Sequence, residues 1–257
     1  MDILRKELND IYSAQRLGLE LLPSAGLTEV REMAAAVVKA TDACAVITDA
    51  SCDRCYIYSG RFGELMGFSD RTPSCVTADS SDEDVIYKRI HPEDLVDKRM
   101  LEYEYFKRVG AMDPEGRMHT RATCCLRMKD RAGAYRYIDN STRVARLSPR
   151  GKIWLILCLY DLAPEQHGDE GITPRIVGSA TGEITSLSFE AGRRHILTER
   201  EKQIMRLIQQ GRASKQIAAA LGISVNTVNR HRQNIISKLS VGNSVEAITA
   251  AKAMRLL

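Results

Sequence analysis

The chain has 257 residues, of which 44% are hydrophobic and 27% are charged, and its formal net charge is +4. This length suggests about two domains, and the composition excludes disordered and fibrous proteins. The longest apolar run, Ile153 to Tyr160, is far shorter than the roughly 20 residues that a membrane-spanning helix needs. The N-terminus also lacks the apolar core of a secretory signal peptide. We therefore expect a cytoplasmic protein with no membrane partner.

The cysteines are expected to be reduced thiols. There are seven of them, an odd number, in a sequence without an export signal. Cys52 and Cys55 form a lone CxxC, and no second CxxC or HxxxH supplies the two further ligands that a zinc site needs. We expect no metal ligands in this chain.

The first 40 residues are predicted to form helices that pack onto the domain that follows them. Leucine and isoleucine recur every three to four residues as far as Leu21. The run from Pro23 to Gly26 breaks this pattern, and a second helix is expected over Glu29 to Lys39.

From Cys44 the periodicity changes to that of a domain with short strands. The predicted elements, in chain order, are strands at 45–48 and 55–59, short helices at 61–66 and 82–88, a longer helix that opens at His91-Pro92, and strands at 121–129, 134–147 and 152–162. Turns at 130–133 and 148–151 join the last three strands into hairpins.

Four stretches in this region carry a family resemblance: SGRFGELMGFS, IHPEDL, MKDRAGAYRYID and a closing strand that ends in YDLAP. In this order they resemble a PAS domain over residues 41–165. The resemblance implies a domain that senses a small-molecule or protein signal, or that dimerises. No Asn-Cys-Arg-Phe-type segment for flavin photochemistry occurs, and His91 is expected to cap a helix instead of binding haem. We therefore expect no cofactor.

Residues 166–194 are predicted to be a linker. His167 to Thr173 is polar and contains glycine. Arg175 to Phe189 alternates around Ala180-Thr-Gly182, so a β-hairpin is expected there, with its function left open.

Basic residues are concentrated at the C-terminus. Thr198 to Leu257 carries a net charge of +7, whereas the rest of the chain carries −3. A neutral-to-acidic body joined to a compact basic segment favours nucleic acid as the partner of that segment.

The basic segment begins with the layout of a helix-turn-helix. Thr198 and Glu201 form a capping box that opens a first helix, about Glu199 to Gln210. Ser214 is expected to cap a second helix and Ser224 a third, with Gly-Ile-Ser at the corner between them.

The third helix separates apolar residues from amide and guanidinium side chains, which can make paired hydrogen bonds to base edges in a major groove. No acidic residue occurs from Ala213 to Val245, as expected for a surface that lies next to phosphates. The residues predicted to contact bases or phosphates are Thr198, Ser214, Lys215, Ser224, Val225, Asn226, Thr227, Asn229, Arg230, Arg232, Gln233 and Lys238.

LTERE, KQIAAALGIS, TVNRH and KLSVGNSVEA occur in this order, and residues 195–257 resemble the LuxR/NarL-type helix-turn-helix. The resemblance implies a four-helix DNA-binding domain whose last helix, about Ser244 to Met254, pairs across a dimer. Asn229 stands where the family usually has a lysine, so the contacts of that lysine are not transferred, and Arg230 is the candidate to replace it. His231 is expected mainly to pack. The residues implied in dimerisation are Ser244, Val245, Ala247, Ile248 and Ala251.

The expected fold class is α+β: a PAS-like antiparallel sheet domain with N-terminal helices, followed by an all-α four-helix domain. The expected function is a transcription regulator that binds double-stranded promoter DNA as a homodimer, with RNA polymerase as a further candidate partner. In the alternative, the N-terminal domain is a protein-interaction module without a ligand, and the helix-turn-helix is a constitutive DNA anchor. GxSxG, Walker, HExxH and Rossmann motifs are absent, so no catalytic residues and no enzyme activity are expected.

Overall fold

A computed structural model of the chain describes residues 3–70, 72–79, 83–166, 172–189, 197–239, 241–253 and 256–257. The chain divides into two compact units, Glu7–Leu187 and a second one made of Met1–Lys6 with Ser188–Leu257. None of the described helices combines the length and the apolar character that crossing a membrane requires.

The described elements mix helices and strands, which confirms the expected α+β class. The helices are α1 (Ile3–Ala14), α2 (Ser24–Thr41), α3 (Arg61–Met66), α4 (Asp84–Tyr87), α5 (Pro92–Ala111), α6 (Pro114–His119), α7 (Glu199–Gln209), α8 (Ser214–Leu221), α9 (Val225–Leu239) and α10 (Ser244–Ala253). The strands are β1 (Cys44–Asp49), β2 (Arg54–Ser59), β3 (Ser74–Ala78), β4 (Thr120–Lys129), β5 (Tyr135–Leu147), β6 (Ile153–Leu162), β7 (Arg175–Gly178) and β8 (Ile184–Ser186).

The strands form one antiparallel sheet in the order β3-β2-β1-β6-β5-β4-β7-β8. The predicted strands correspond to β1, β2, β4, β5 and β6, and each of their ends lies within one residue of the prediction. The predicted hairpin is β7–β8, with Gly182 at a positive φ of 72° in its turn. The hairpin extends the sheet, because Arg175 of β7 pairs with Thr123 of β4.

The break between the first two helices was predicted in the wrong place. Helix α2 begins at Ser24, directly after Pro23, whose fixed φ suits the start of a helix. Gly26 therefore lies inside the helix. A Cβ on Gly26 would come within 2.7 Å of Arg146 and 2.9 Å of Trp154. This glycine allows close packing of α2 on the sheet and does not end a helix.

Two elements were not predicted. Strand β3 is mostly exposed and follows no two-residue apolar alternation, and it is held by its pairing with β2. Helix α6 has six residues and none of them is buried; its first turn is capped by Asp113, which accepts a hydrogen bond from Gly116 N at 2.7 Å. Asp82, the predicted start of α4, and residues 167–171 of the predicted linker lie outside the described residues.

Helices α2 and α5 cover opposite faces of the sheet. Val30 and Ala34 of α2 pack with Ile47 and Leu157 on one face. On the other face, Lys98 of α5 reaches β5 and donates a hydrogen bond to Thr142 Oγ1 at 3.2 Å. Because side chains alternate along a strand, the core on both sides of the sheet is built from the same strands.

An ion pair is buried between α5 and the sheet. Lys98 Nζ lies 2.7 Å from Glu102 Oε1, and both side chains are almost fully buried. Tyr87 OH donates a second hydrogen bond to the same oxygen at 2.8 Å. Burial is the largest influence and opposes the charge on Lys98, but Glu102, two cysteine thiols and Glu83 together outweigh it and raise the pKa of the amine. The pair is therefore charged inside the core.

Candidate nucleic-acid interface

The capping box at the start of α7 is confirmed. Thr198 Oγ1 accepts a hydrogen bond from Glu201 N at 3.2 Å, and Thr198 N donates one to Glu201 Oε2 at 2.8 Å. Lys238 Nζ of α9 also contacts Glu201 Oε2, at 2.7 Å. Burial opposes ionisation of Glu201, but the hydrogen bonds from Lys238 and Thr198 outweigh it and lower the pKa of the carboxyl. This carboxylate joins the first helix of the basic segment to the third.

The prediction that Ser214 caps α8 is wrong. Ser214 is the first helical residue, and the residue before it is Ala213, whose N–H donates to Gln216 Oε1 at 2.9 Å. A glutamine reaching back to the start of the helix thus replaces the serine cap. The Ser214 hydroxyl instead accepts a hydrogen bond from Arg232 Nη1 at 3.0 Å.

The corner between α8 and α9 is formed as predicted. Gly222 ends α8 with a left-handed φ of 64°. Ser224 Oγ then accepts a hydrogen bond from Thr227 N at 3.0 Å and caps α9. These two residues fix the direction in which α9 leaves the turn.

Helix α9 has the two predicted faces. Val228, Ile235 and Leu239 are buried. His231, expected mainly to pack, is half-buried. The polar face is exposed along the first half of the helix and beyond; its members are Asn226, Asn229, Arg230, Gln233 and Asn234. Five amide and guanidinium side chains are thus exposed on one side of α9. Contact of this side with DNA stays a prediction.

Arg232 lies inside the unit instead of on the polar face. Its Nη1 donates to Ser214 Oγ on α8, and its Nε and Nη2 donate to Ser244 Oγ on α10, at 3.2 and 3.0 Å. One guanidinium thus connects three helices. The sequence suggested phosphates as its partners, and that contact stays a prediction.

The other predicted phosphate contacts differ in how free their side chains are. Lys215 is exposed at the start of α8. Thr198, before α7, and Val225, at the start of α9, are also exposed. Lys238 is paired with Glu201 and only 23% of its side chain is exposed. Of these cations, Lys215 is therefore better placed than Lys238 to approach a phosphate.

The predicted dimerisation residues of α10 do not share one surface. Ala247 and Ala251 are fully buried within the unit, so their side chains offer nothing to a second copy, and the prediction is wrong for these two. Ser244 is half-buried against Arg232. Val245 is 73% exposed and Ile248 is half-buried, and these two remain available.

In the N-terminal unit, one group of side chains has the composition of a metal site. Ligand atoms of His91, Glu93 and Asp94 lie within 4.8 Å of one another. The guanidinium of Arg127 is already present there, 2.6 Å from Asp94 Oδ1 and 2.8 Å from Glu93 Oε2. His91 Nδ1 accepts from Glu93 N at 3.4 Å, so His91 caps α5 as predicted. Burial and Arg127 lower the pKa of His91.

The N-terminal unit also has a groove large enough for a small molecule. It has a volume of about 640 Å³ and lies between β2–β3 and helices α3 and α4, where Ile57, Phe68, Val76 and Lys88 line it. The space beside the buried pair of α5 is only about 10 Å³. Between α5 and the sheet the core is therefore nearly filled.

Comparisons with known proteins concern mainly the C-terminal segment. Residues 195–251 match the family described as bacterial regulatory proteins, luxR family. The transcriptional regulatory protein UhpA of Salmonella typhimurium is 48% identical over 61 residues, which are 24% of this chain and 31% of that protein. DesR of Bacillus subtilis is 43% identical over 56 residues, 22% of this chain and 28% of that protein. The chain thus spans about a third of the length of these relatives.

A solved structure, the phage VqmA-DPO complex, covers more of the chain. It is 18% identical, and the match covers 91% of this chain and 93% of that one. The TM-score is 0.28, which is too low to support an inference about function.

Proposed function

Because its C-terminal segment is a LuxR-family helix-turn-helix domain, we propose that this chain is a transcription regulator that binds promoter DNA through α9. The observation that carries the proposal is the exposed face of α9, where Asn226, Asn229, Arg230 and Gln233 project from a helix that contains no acidic residue. These side chains can pair with base edges, since Asn and Gln match adenine and Arg matches guanine.

The surroundings of this face support the same orientation. Exposed Lys215 lies at the start of α8, and the hydroxyl of Ser224 caps the start of α9, the part of the helix that would enter the groove first. Contacts of this kind position a protein on the phosphate backbone without reading sequence. Asn229 stands where the family usually has a lysine, and the neighbouring Arg230 would supply the positive charge that this lysine provides.

The test is selection of genomic DNA fragments by the full chain at two salt concentrations. We expect a motif that is still enriched at the higher salt, where non-specific binding is lost. Arg230→Ala should change or weaken the motif, whereas Arg206→Ala, which removes an exposed cation from α7, should leave it unchanged. If the parent chain enriches no motif at either salt concentration, the proposal is wrong.

We also propose that two copies bind one promoter, with RNA polymerase as a further candidate partner. The exposed side chain of Val245 and the half-buried Ile248 are the apolar residues of α10 that support a contact with a second copy. Two copies would read two half-sites, so the enriched motif should contain a repeat at a fixed spacing. Val245→Glu should weaken binding to paired sites more than binding to single sites.

For the N-terminal unit we propose a sensing role, with the groove of about 640 Å³ as the place for a ligand. Such volumes are typical of small-molecule sites. The nearly filled space beside Glu102 favours the alternative, a protein-interaction module without a ligand. Mass spectrometry of small molecules released from the purified full chain separates the two. A stoichiometric compound that Phe68→Ala abolishes supports sensing, and its absence supports the alternative.

A further inference from the structure

Three neighbouring strands, β5, β4 and β7, carry arginines on one face of the sheet. Arg121 of β4 is the cross-strand partner of Arg143 of β5. Arg175 of β7 pairs with Thr123, which lies two residues along β4 from Arg121 and therefore on the same face. The Cβ atoms of directly opposed residues are about 5 Å apart, and those of diagonal neighbours about 7–8 Å. We call Arg121, Arg143 and Arg175 the arginine triad.

The positive charges of the arginine triad are not neutralised by the part of the chain that the structure describes. Arg121 Nη1 donates to Ser179 Oγ at 3.2 Å, and Arg143 Nη2 donates to Met118 O at 2.9 Å; both acceptors are uncharged. Arg175 is exposed, and no described carboxylate forms an ion pair with any of the three guanidinium groups. Because like charges in neighbouring positions destabilise a sheet, the triad favours an external anion.

The arginine triad lines one end of a groove with a volume of about 670 Å³. The other end is acidic, because Asp139 of β5 is the cross-strand partner of Asp161 of β6. At the rise of a β-strand, the Cα atoms of Asp139 and Arg143 are about 13 Å apart, and at the spacing of strands Asp139 is at least about 10 Å from Arg175. Salt largely screens exposed charges over such distances, so these carboxylates do not take the place of an ion pair.

The size and the charge of the site define the ligand that fits it. Three guanidinium groups on adjacent positions can donate paired hydrogen bonds to the oxygens of one phosphate group or of two carboxylates. Thr123 and Ser141 are cross-strand partners that line the same groove, and their hydroxyls are further donors for such oxygens. The acidic end repels the next phosphates of an extended polyanion. The groove therefore suits a compact dianion and not a nucleic acid.

We propose that the arginine triad binds a compact dianion and that this anion fastens the β7–β8 hairpin to the sheet. Among the described strands, β7 pairs only with β4 and β8. An anion held by Arg175 on one side and by Arg121 and Arg143 on the other adds a second link between β7 and the sheet. Strand β8 ends at Ser186, and the C-terminal part of the second unit begins at Ser188. The anion thus acts on the segment that leads into that unit.

This groove is separate from the groove assigned to sensing, and the proposal is tested without DNA. The first experiment is isothermal titration calorimetry of the full chain with inorganic phosphate and, separately, with succinate, at mildly alkaline pH, where both are dianions. Ionic strength is held constant with sodium chloride. Saturable binding of phosphate alone identifies a phosphate site, and binding of succinate alone identifies a dicarboxylate site; either result, or both, supports the proposal.

Substitutions show whether the bound anion lies at the arginine triad. Arg175→Gln removes an exposed guanidinium and should raise the dissociation constant of the anion about tenfold or more. Arg143→Gln should act in the same direction, and Asp139→Asn should not weaken binding. The matched control is Arg150→Gln, which makes the same change at an exposed arginine of the β5–β6 turn and should leave the dissociation constant unchanged.

Hydrogen exchange tests the effect on the hairpin. A saturating anion should slow exchange of the β7 amides in the parent chain but not in Arg175→Gln at the same anion concentration. The amides of β3, at the opposite edge of the sheet, should be unaffected in both. The proposal is wrong if neither anion binds saturably, if Arg175→Gln and Arg150→Gln lose equal affinity, or if the anion leaves β7 unprotected or slows β3 and β7 alike.

Discussion

Arg230 and Lys215 are exposed cations of the same unit, yet their positions predict different losses on DNA. Arg230 projects from α9 among amides, where a guanidinium can pair with the edge of a base. Arg230→Ala should therefore weaken binding to the preferred site by about 1–3 kcal/mol and relax the sequence preference. Lys215→Ala should weaken binding to preferred and scrambled sites alike. Titrations of both sites with each variant measure the difference, and unchanged affinity in both variants would contradict the placement of α9.

Glu201 is the buried carboxylate that joins α7 to α9, and its lowered pKa makes its contribution to stability depend on pH. A carboxyl whose pKa is lower in the folded state stabilises the fold above its ordinary pKa of 4.5, and the contribution is lost as the pH falls through the folded value. Glu201→Gln should cost about 2 kcal/mol at neutral pH, since it weakens the bonds to Lys238 and Thr198.

Hydrogen exchange of the amides of α7 and α9, measured at neutral and at acidic pH, tests this prediction. At neutral pH the amides of α7 and α9 should be less protected from exchange in Glu201→Gln than in the parent chain. This difference should shrink at acidic pH, where Glu201 of the parent chain becomes protonated. Glu199→Gln is the control, because Glu199 lies on the same helix with 78% of its side chain exposed. Equal losses of protection in Glu201→Gln and Glu199→Gln would show that the ion pair between Glu201 and Lys238 does not stabilise the unit more than an exposed pair does.

At the level of elements, Arg232 holds α8, α9 and α10 together through Ser214 and Ser244. Arg232→Ala should destabilise the C-terminal unit by about 1–3 kcal/mol. Arg232→Lys should restore little of this, because a single ammonium lacks the forked geometry that reaches both hydroxyls. Urea denaturation followed by far-UV circular dichroism measures the loss. Arg230→Ala, an exposed change on the same helix, should leave stability unchanged. If Arg232→Lys were as stable as the parent chain, the role assigned to the guanidinium, which bonds to both hydroxyls, would be wrong.

Local patterns predicted the elements whose signals lie within a few residues of each other. The alternation of β4 and β5, the capping box at Thr198 and the stop at Gly222 are such signals, and the structure confirms them, whereas the first six residues of β6 are all buried. Strand β3 depends on pairing with β2, and the hydrogen bond from Lys98 reaches Thr142, 44 residues away. In both cases the partner, β2 or Thr142, lies too far along the sequence for a local pattern to show the contact.

The candidate interface shows the same division between local and distant signals. Helical spacing was enough to place the amides of α9 on the exposed side. Spacing along α9 alone could not show that the long side chain of Arg232 reaches Ser214 and Ser244, which lie 18 and 12 residues away. Nor could it show that α10 buries Ala247 and Ala251 inside its own unit. Contacts that depend on packing between helices therefore could not be predicted from local spacing.

At the scale of the whole molecule, the charge available to DNA is smaller than the sequence suggests. Several basic residues of the C-terminal segment are engaged within the unit; Lys202 pairs with Glu199, Lys238 with Glu201, and Arg232 with two serines. The described cations that stay exposed are Arg206, Arg212, Lys215, Arg230 and Lys252. Since only cations that neutralise phosphates release counterions, these five are the described residues of this segment that we expect to set the salt dependence of binding.

If these five contact phosphates, the logarithm of the DNA affinity should fall with the logarithm of salt concentration with a slope of about −4.5 per protomer. Lys215→Ala should flatten the slope by about 1 per protomer, whereas Lys238→Met should leave it nearly unchanged. Titrations of one DNA site at several salt concentrations give all three slopes. Equal flattening by the two lysine variants would mean that Lys238 leaves Glu201 on DNA and binds phosphate.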